Sequence, residues 1–183
     1  MMNRVDIKVG AAPIGHARTW AYPDGDPREH YKIPTYKVTV AARSTGGKVV
    51  SRDFEALRFG IQKDGAIGPR VVGLANQQTH VIKSWIPTYT VHSARSPERG
   101  AWQVYGNFLI HDGPDDPHTE VYASIGCVEI CNGPEGFNIF NDYIISLASP
   151  TSTSRAQQLL EIGRSRKLVI TYAKADRPAV VRW

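Results

Sequence analysis

Short stretches in which apolar and polar residues alternate recur along the chain, and they predict a fold built mainly from β-strands. Residues 5–9 alternate strictly, which is typical of a strand with one buried face. The pair Gly46-Gly47 predicts a tight turn that joins two strands in a hairpin. β-Branched and aromatic residues favour these and further strands at residues 36–42, 48–52, 78–85, 89–93, 108–110 and 168–172.

Proline and glycine mark the connecting segments between the predicted strands. Residues 12–34 contain four prolines and residues 63–73 are rich in glycine, so both segments are predicted to be loops. Residues 53–62 are ambiguous, because their apolar positions have helical spacing whereas a short apolar run within them also suits a strand.

Two amphipathic helices are predicted in the last third of the chain. Pro134 suits the first helical position and Glu135 the first turn, and an apolar stripe continues to about residue 148. Ser154 could cap a second helix at residues 155–163. The stripes consist of Phe137, Phe140, Ile144, Ile145 and Leu147 in the first helix and Leu159, Leu160 and Ile162 in the second.

Length and composition favour one domain of the soluble globular class. With 183 residues the chain can form one substantial core, and it has no internal repeat and no long linker. We therefore predict a single domain over residues 1–183, mainly β with a few helices (α+β). The formal charge of +5 makes an anionic partner plausible, either nucleic acid or bacterial cell wall. The 22 basic residues are dispersed, however, which favours a mildly basic surface without a dedicated patch.

The hydropathy of the sequence does not indicate a targeting signal. The first thirty residues hold no apolar stretch like a signal-peptide core, and no segment approaches the length that spans a membrane. If the target is the cell wall, we expect export through a specialised secretion machine, a carrier protein, or a leader that these residues do not include.

The candidate chemistry lies between residues 107 and 132. His111 follows a short apolar run, and a polar, proline-rich loop then leads to Cys127. A thiolate is a strong nucleophile, and an adjacent imidazole can take the proton of the thiol. Gly126 has no Cβ, so a substrate carbonyl could approach the backbone N–H groups beside the sulfur. The pattern indicates thiol nucleophilic catalysis, and the alternative is that Cys127 is a buried free cysteine.

The order of a histidine, a loop and Ser-x-Gly-Cys-Val-x-Ile-x-Asn resembles the signature of the L,D-transpeptidase (YkuD) catalytic domain. Two positions depart from that signature: Ile125 stands where the family has a second histidine, and Glu129 where it has an arginine. Divergent relatives among secreted antibacterial effectors also lack the second histidine, and this sequence is similar to those. The matching positions are His111, Ser124, Gly126, Cys127, Val128, Ile130 and Asn132.

The resemblance implies a fold, a reaction and a location. The fold would be an L,D-transpeptidase-like β-sandwich or open barrel with the Cys/His active site at the sheet edge. Cys127 would attack a carbonyl of a peptidoglycan stem peptide to form a thioester, with the oxyanion held by N–H groups around Gly126 and Cys127. His111, held by a backbone carbonyl without an acidic third member, would protonate the leaving group. An amine acceptor would give L,D-transpeptidation and water would give L,D-carboxypeptidation, in the bacterial periplasm or cell wall.

The same resemblance implies the partners. These are peptidoglycan stem peptides and, for a delivered antibacterial toxin, a secretion carrier or a cognate immunity protein. We expect no cofactor, no metal, no nucleic acid and no membrane span.

Five further residues are candidates for substrate binding: Ser124, Trp102, His92, Asn132 and Glu129. The hydroxyl of Ser124 could donate to the substrate or brace the loop. Trp102 could line a substrate groove or lie in the core. His92 could lie on a neighbouring strand near the site or form a hydrogen bond at the sheet edge. Glu129 could change the preferred charge of the substrate or be a solvated surface carboxylate.

The remaining candidates for chemistry have simpler interpretations. Cys131 lies four residues after Cys127, on the same face of a strand, and is interpreted as a core residue because neither a disulfide framework nor a zinc motif fits this pair. Asp112 is interpreted as a turn residue. The acidic loop around His118 matches no metal-ligand spacing and is interpreted as a mobile lid over the active site.

Two other classes of function compete with the enzyme. One is a non-enzymatic basic module on the same fold that binds cell wall or nucleic acid, and its binding would weaken steeply with salt. The other is a papain-like cysteine peptidase, which is disfavoured because those enzymes have the cysteine before the histidine in the chain.

Overall fold

The computed structural model describes residues 1–91 and 98–183, which form a mainly β architecture with two helices. The first strands are β1 (Val5–Pro23), β2 (Tyr31–Arg43), β3 (Val49–Leu57), β4 (Gly60–Lys63), β5 (Arg70–Val72), β6 (Gln78–Val81) and β7 (Ser84–Ile86). The later strands are β8 (Ala101–Tyr105), β9 (Phe108–Asp112), β10 (Val121–Ala123), β11 (Val128–Ile130), β12 (Leu168–Tyr172) and β13 (Val181–Arg182). The helices are α1 (Gly136–Ala148) and α2 (Arg155–Ser165).

The strands form one open sheet in which the long strand β1 connects several neighbours. The main order is β5-β4-β1-β2-β3-β11-β9-β8-β7. The first part of β1 also pairs in parallel with β12, and its later part with β10 and then β4. At the edges, β6 pairs with β12 and β13 with β2. The prediction of a mainly β fold with a few helices is confirmed at this level.

The prediction of a loop over residues 12–34 is wrong for most of that segment. Strand β1 continues to Pro23, and β2 begins at Tyr31. The register of the β1–β2 pairing shifts on both sides of Pro13, so the proline lies at an irregularity of the ladder. A bulge tolerates a residue without a backbone N–H, which is why proline did not end the strand here.

Several other boundaries differ from the predictions. The ambiguous residues 53–62 are strand, split between β3 and β4, and the predicted loop at 63–73 contains β5. The strand predicted at residues 78–85 is two short strands, β6 and β7. In the described part of residues 89–93 there is no strand. Helix α1 begins at Gly136, two residues after the predicted start.

The hairpin predicted at Gly46-Gly47 and the second helix are confirmed. Strands β2 and β3 pair antiparallel from Arg43 opposite Val49, and Gly47 has a φ of 79° in the turn. Ser154 caps α2, with its hydroxyl accepting from the N–H of Gln157.

The larger hydrophobic core lies between the sheet and the two helices. The ring of Phe140 on α1 packs against Phe54 on β3 with ring centroids 5.2 Å apart. Trp102 on β8 is fully buried, 4.7 Å from the ring of Trp85, and its Nε1 donates to Oδ1 of Asn141 at 2.8 Å. These contacts fix α1 against the strands that lead to the candidate site.

A buried arginine connects three separate segments of the chain. The guanidinium of Arg58 is fully buried and donates to the backbone carbonyls of Gly10 at 2.8 Å, of Leu74 at 2.9 Å and of Ala173. The rings of Tyr36, Phe59 and Tyr172 surround it. Carbonyl acceptors and aromatic faces thus replace a carboxylate as the partners of this cation.

Neither of the helices in the described residues is long and apolar enough to cross a membrane.

Candidate active site

Two parallel strands in the middle of the sheet bring the candidate catalytic residues together. Strand β11 pairs in parallel with β9, and Glu129 lies directly opposite His111. Because side chains alternate along a strand, Cys127, two residues before Glu129, is directed to the same face. The structure therefore places His111, Cys127 and Glu129 in the lining of one cavity.

The imidazole of His111 is held by the backbone of the next residue. Its Nδ1 donates to the carbonyl oxygen of Asp112 at 2.6 Å, because a carbonyl can only accept. This bond fixes the tautomer and leaves Nε2 as an acceptor, 3.8 Å from Oε1 of Glu129. Burial lowers the pKa of His111 to about 4, so the ring is neutral near neutral pH. A backbone carbonyl in this position is the contact that the sequence resemblance implies.

The sulfur of Cys127 lies against strand β9, with 5% of the residue exposed. Its thiol donates to the carbonyl oxygen of Asn107 over 3.9 Å, and the backbone of Leu109 also forms a hydrogen bond with the sulfur. Burial, together with the carboxyl of Glu129, raises the pKa of Cys127 to about 12. The residue is therefore a thiol near neutral pH, and it lines the same cavity as the neutral imidazole of His111.

The cavity in front of these residues has a volume of about 640 Å³. A second cavity of about 340 Å³ also contains Cys127 in its lining, so this residue borders both spaces. The larger cavity is lined mainly by apolar and aromatic side chains, among them Trp20, Tyr22, Ile86, Tyr89, Leu109 and Ile125. The smaller cavity is also lined by Gln62, Val72, Tyr105 and Phe108.

Gly126 permits a close approach of two backbone segments beside the sulfur. It has a φ of 100°, and a Cβ at this position would lie 2.6 Å from the Cα of Gly73. A side chain here would force the loop away from residues 72–73. In the empty site the N–H of Gly126 donates to Oγ of Ser124 over 3.4 Å, so it is only weakly engaged.

Glu129 is buried, and the alternative of a solvated surface carboxylate is wrong. Only 2% of the residue is exposed, and burial raises its pKa to about 8, an effect that the hydroxyl of Ser124 partly offsets. Its Oε2 is buried without a hydrogen-bond partner among the described residues. Ser124 is also buried and does not line the cavity, so its contacts favour the interpretation that it braces the loop.

Two predicted substrate-binding residues, Trp102 and Asn132, are not brought to the cavity. Trp102 lies in the hydrophobic core, as the alternative for this residue stated. Asn132 accepts a hydrogen bond from the N–H of Glu55 at 2.9 Å and thereby ties the end of β11 to β3. His92 lies outside the described residues. The sequence could not show whether Trp102 lies in the core or lines a groove, because the alternation of residues along β8 would be the same in both cases.

The acidic loop around His118 does not cover the cavity, contrary to the prediction of a lid. None of residues 113–120 lines the cavity. The carbonyl of Pro117 accepts from the N–H of Arg18 on β1 at 3.0 Å, and the ring of His118 lies 5.4 Å from that of His16. In the described part of the chain, no group of three or more His, Cys, Asp or Glu side chains could hold a metal ion.

A buried pair of carboxyl groups lies next to His111 in the chain, and no pattern in the sequence pointed to it. Asp112, interpreted as a turn residue, is fully buried at the end of β9, close to the carboxyl of Glu98, and its carboxyl oxygens have no hydrogen-bond partner among the described residues. Two buried carboxyl groups this close to each other favour a state in which one of them keeps its proton. Burial and this neighbour raise the pKa of Asp112 to about 9. Glu98 in turn accepts from the N–H groups of Phe137 and Asn138 at the start of α1.

Sequence reasoning also missed three aromatic residues of the cavity. Trp20 and Tyr22 lie on the part of β1 that was predicted to be loop, and Tyr89 contacts His111 with ring centroids 5.2 Å apart. Trp20 and Tyr22 are two residues apart, as side chains on one face of a strand are, and this spacing could have identified them.

No protein-family model, no curated protein and no solved structure matches this chain. The resemblance to L,D-transpeptidases therefore stays a prediction that depends on the motif residues.

Proposed function

We propose that the protein is a cysteine-dependent enzyme that modifies peptidoglycan by acyl transfer on stem peptides. In this proposal its open sheet is a divergent version of the L,D-transpeptidase fold. One observation carries the proposal: Cys127 and His111 line the same cavity, and the imidazole is held by the carbonyl of Asp112 with Nε2 left as an acceptor. A thiol nucleophile needs a general base with a free acceptor nitrogen in the same site, and Nε2 of His111 could serve as that acceptor.

The reaction has two steps through a thioester. In the first, Nε2 of His111 takes the proton of the thiol while the sulfur of Cys127 attacks the carbonyl carbon of a stem peptide. The tetrahedral intermediate collapses, the C–N bond breaks, and the leaving amine takes the proton from His111. In the second step His111 takes a proton from an amine or from water, which attacks the thioester. The new amide or acid forms, and the sulfur leaves with the proton.

The protonation states favour a concerted first step. The pKa values of about 12 for Cys127 and about 4 for His111 mean that a thiolate–imidazolium pair is strongly disfavoured in the empty site. Proton transfer that accompanies the attack avoids this separated pair. The N–H of Gly126 would exchange its weak contact with Ser124 for the developing oxyanion.

The two cavities beside the sulfur bear on the choice of acceptor. A thioester on Cys127 would border both the larger and the smaller cavity, which leaves room for an acyl donor on one side and an acceptor on the other. This arrangement favours transfer to an amine of a second stem. Hydrolysis by water would give the L,D-carboxypeptidase reaction with the same residues.

The test is mass spectrometry of purified muropeptides after incubation with the protein. The intact protein and a Cys131→Ala control, which removes the other buried cysteine, should remove a terminal residue or form a new cross-link. A Cys127→Ala variant should do neither. Unchanged muropeptides with the intact protein, or products that persist in Cys127→Ala, would contradict the proposal.

The proposed place of action is the bacterial periplasm or cell wall, where the protein would act as a delivered antibacterial toxin with a carrier and an immunity protein as partners. The support is the resemblance of the motif to secreted effectors. Expression in bacteria with and without an added export signal tests it. We expect growth inhibition only with the signal, and toxicity confined to the cytoplasmic form would rule the idea out.

The competing function is non-catalytic binding of cell wall or nucleic acid on the same fold. The raised pKa of Cys127 is the observation that favours it, since a protonated thiol is a poor nucleophile. Binding of this kind would persist in Cys127→Ala and fall steeply with salt.

A further inference from the structure

The larger cavity combines aromatic walls with a single carboxyl group. The rings of Trp20, Tyr22 and Tyr89 belong to its lining, and Glu129 contributes the acid. Among the described residues the lining contains no lysine and no arginine, although the whole chain carries a net charge of +5. His111 is the basic residue of this described lining, and burial lowers its pKa to about 4. The described part of the site therefore offers aromatic rings and one carboxyl group, which becomes negatively charged above a pH of about 8.

Glu129 lines this cavity and has an unpaired carboxyl oxygen. Its Oε2 is buried and has no hydrogen-bond partner in the part of the chain that the structure describes. Buried carboxylate oxygens without a partner are rare in folded proteins, because each one loses its hydration without replacement. Oε1 is 3.8 Å from Nε2 of His111, too long for a hydrogen bond. Apart from the hydroxyl of Ser124, which partly offsets the effect of burial on the pKa of Glu129, the described residues supply no donor to the carboxyl group, and a bound molecule could supply one.

We propose that the cavity binds a substrate with a positively charged group, an ammonium or a guanidinium, close to the reacting carbonyl, and that Glu129 determines this preference. The inference rests on the proposed function, since it assigns the charge of the acyl donor. A cation would donate a charge-assisted hydrogen bond to the free oxygen of Glu129. It would also lie against the aromatic faces of Trp20, Tyr22 or Tyr89, which attract cations.

A bound cation would also act on the nucleophile. Ionised Glu129 disfavours the thiolate of Cys127, and a cation beside the carboxylate offsets that charge. Among the described residues, the titratable groups that face Glu129 are the imidazole of His111 on β9, the thiols of Cys127 and Cys131, and the phenols of Tyr89 and Tyr122. These groups are neutral near neutral pH, so an incoming cation meets no positive charge from them. The substrate itself would thus favour the reactive form of the cysteine.

The experiment measures how fast Cys127 reacts with charged thiol reagents. The protein carries Cys131→Ala so that a single thiol remains, and each reaction is followed by intact mass. The reagents are the trimethylammonium-ethyl, sulfonatoethyl and methyl methanethiosulfonates, which carry positive, negative and no charge. Rates are divided by those for free N-acetylcysteine. The ratio of the cationic to the anionic rate does not depend on the fraction of thiolate, because both reagents consume the same thiolate.

At a pH of about 9, above the pKa of about 8 of Glu129, we expect the cationic reagent to react at least about tenfold faster than the anionic one. The ratio should fall to near that of free N-acetylcysteine in Glu129→Gln and persist in Glu129→Asp, which keeps the charge. Glu135→Gln is the matched control, since Glu135 is exposed and does not line the cavity.

Equal rates for the two charged reagents with the unsubstituted Glu129 protein would overturn the proposal, and this arm needs no variant at that position to fold. A ratio unchanged in a folded Glu129→Gln protein would also overturn it. Because the assay uses no stem peptide, it is independent of the muropeptide test. Charge preference without muropeptide turnover would leave the cation site in place and reject the proposed enzyme, and turnover without charge preference would do the reverse.

Discussion

His111 and Glu129 lie directly opposite each other on adjacent parallel strands, with Nε2 of the imidazole 3.8 Å from Oε1 of the carboxyl. Burial acts in opposite directions on the two groups, lowering the pKa of His111 to about 4 and raising that of Glu129 to about 8. Between these values the proton belongs to the carboxyl group and the imidazole is neutral. The pair is therefore not an ion pair near neutral pH, and His111 is free to act as a base.

This arrangement predicts how Glu129 controls the cysteine. Above a pH of about 8 the carboxylate forms and opposes the thiolate of Cys127, so Glu129→Gln should lower the pKa of the thiol. We expect Glu129→Gln to be alkylated by neutral iodoacetamide several-fold faster than the natural protein at alkaline pH, with similar rates in weak acid. Intact-mass kinetics across pH would measure this. A variant that reacts more slowly at alkaline pH would instead identify Glu129 as a base for the thiol.

A substitution of Trp102 tests whether this residue stabilises the hydrophobic core or lines the substrate groove. Its indole N–H donates to Oδ1 of Asn141 within the core, so Trp102→Phe leaves that oxygen unpaired. We expect the free energy of unfolding to fall by about 1–3 kcal/mol, with no change in the rate at which Cys127 is alkylated. Trp183→Phe is the control, since that residue is 49% exposed. Altered reactivity of Cys127 with unchanged stability would show that Trp102 serves the site.

Replacement of the buried Arg58 is predicted to cause a large loss of stability. Arg58→Met fills a similar volume but leaves the carbonyls of Gly10, Leu74 and Ala173 buried without donors. We expect the free energy of unfolding to fall by about 3 kcal/mol or more. Arg52→Met is the matched control, because Arg52 is an exposed arginine that packs over Phe54 on β3, and such surface changes usually stay within about 0.5 kcal/mol. Urea denaturation monitored by tryptophan fluorescence would compare them, and equal losses would refute the role assigned to Arg58.

The sequence was informative where local rules determine the structure. The β2–β3 turn and the start of α2 depend on Gly47 and Ser154, whose backbone and capping preferences act within a few residues. Side chains two residues apart on a strand lie on the same face of the sheet, and this rule predicts that Cys127 and Glu129 share a face. The sequence order of His111 and Cys127 indicated that they belong to one site, and the parallel pairing of β9 with β11 is what brings them together.

The rest depends on contacts between distant residues, which no local pattern reveals. Pro13 was part of a predicted loop, yet irregularities in the pairing with β2 accommodate it within the long strand β1. Glu129 could have been a surface residue by its sequence, yet all three residues of β11 are buried. The proximity of Glu98 and Asp112 brings together a segment before β8 and the end of β9. Such pairings are selected by the packing of the whole sheet.

That carboxyl pair gives a last prediction, on the pH dependence of stability. The pKa of Asp112 is raised from 3.8 to about 9 on folding, so the folded protein holds a proton that the unfolded chain has lost throughout this range. The contribution of Asp112 to the free energy of unfolding therefore falls as the pH rises from about 4 to about 9. Asp112→Asn removes this titration, and its amide can still donate to Glu98 at every pH. Relative to the natural protein, the variant should thus gain stability steadily as the pH increases.

Urea denaturation of both proteins in parallel, from weak acid to a pH of about 9, measures this difference. Other groups with shifted pKa values, such as Glu129, titrate in both proteins and cancel in the comparison. Asp142→Asn serves as the control, because Asp142 is exposed on α1 in a surface salt bridge with Arg155. If the curves for Asp112→Asn and the natural protein stay parallel, the two carboxyl groups do not keep a shared proton in the folded protein, because replacing either member of a coupled pair changes the titration of both.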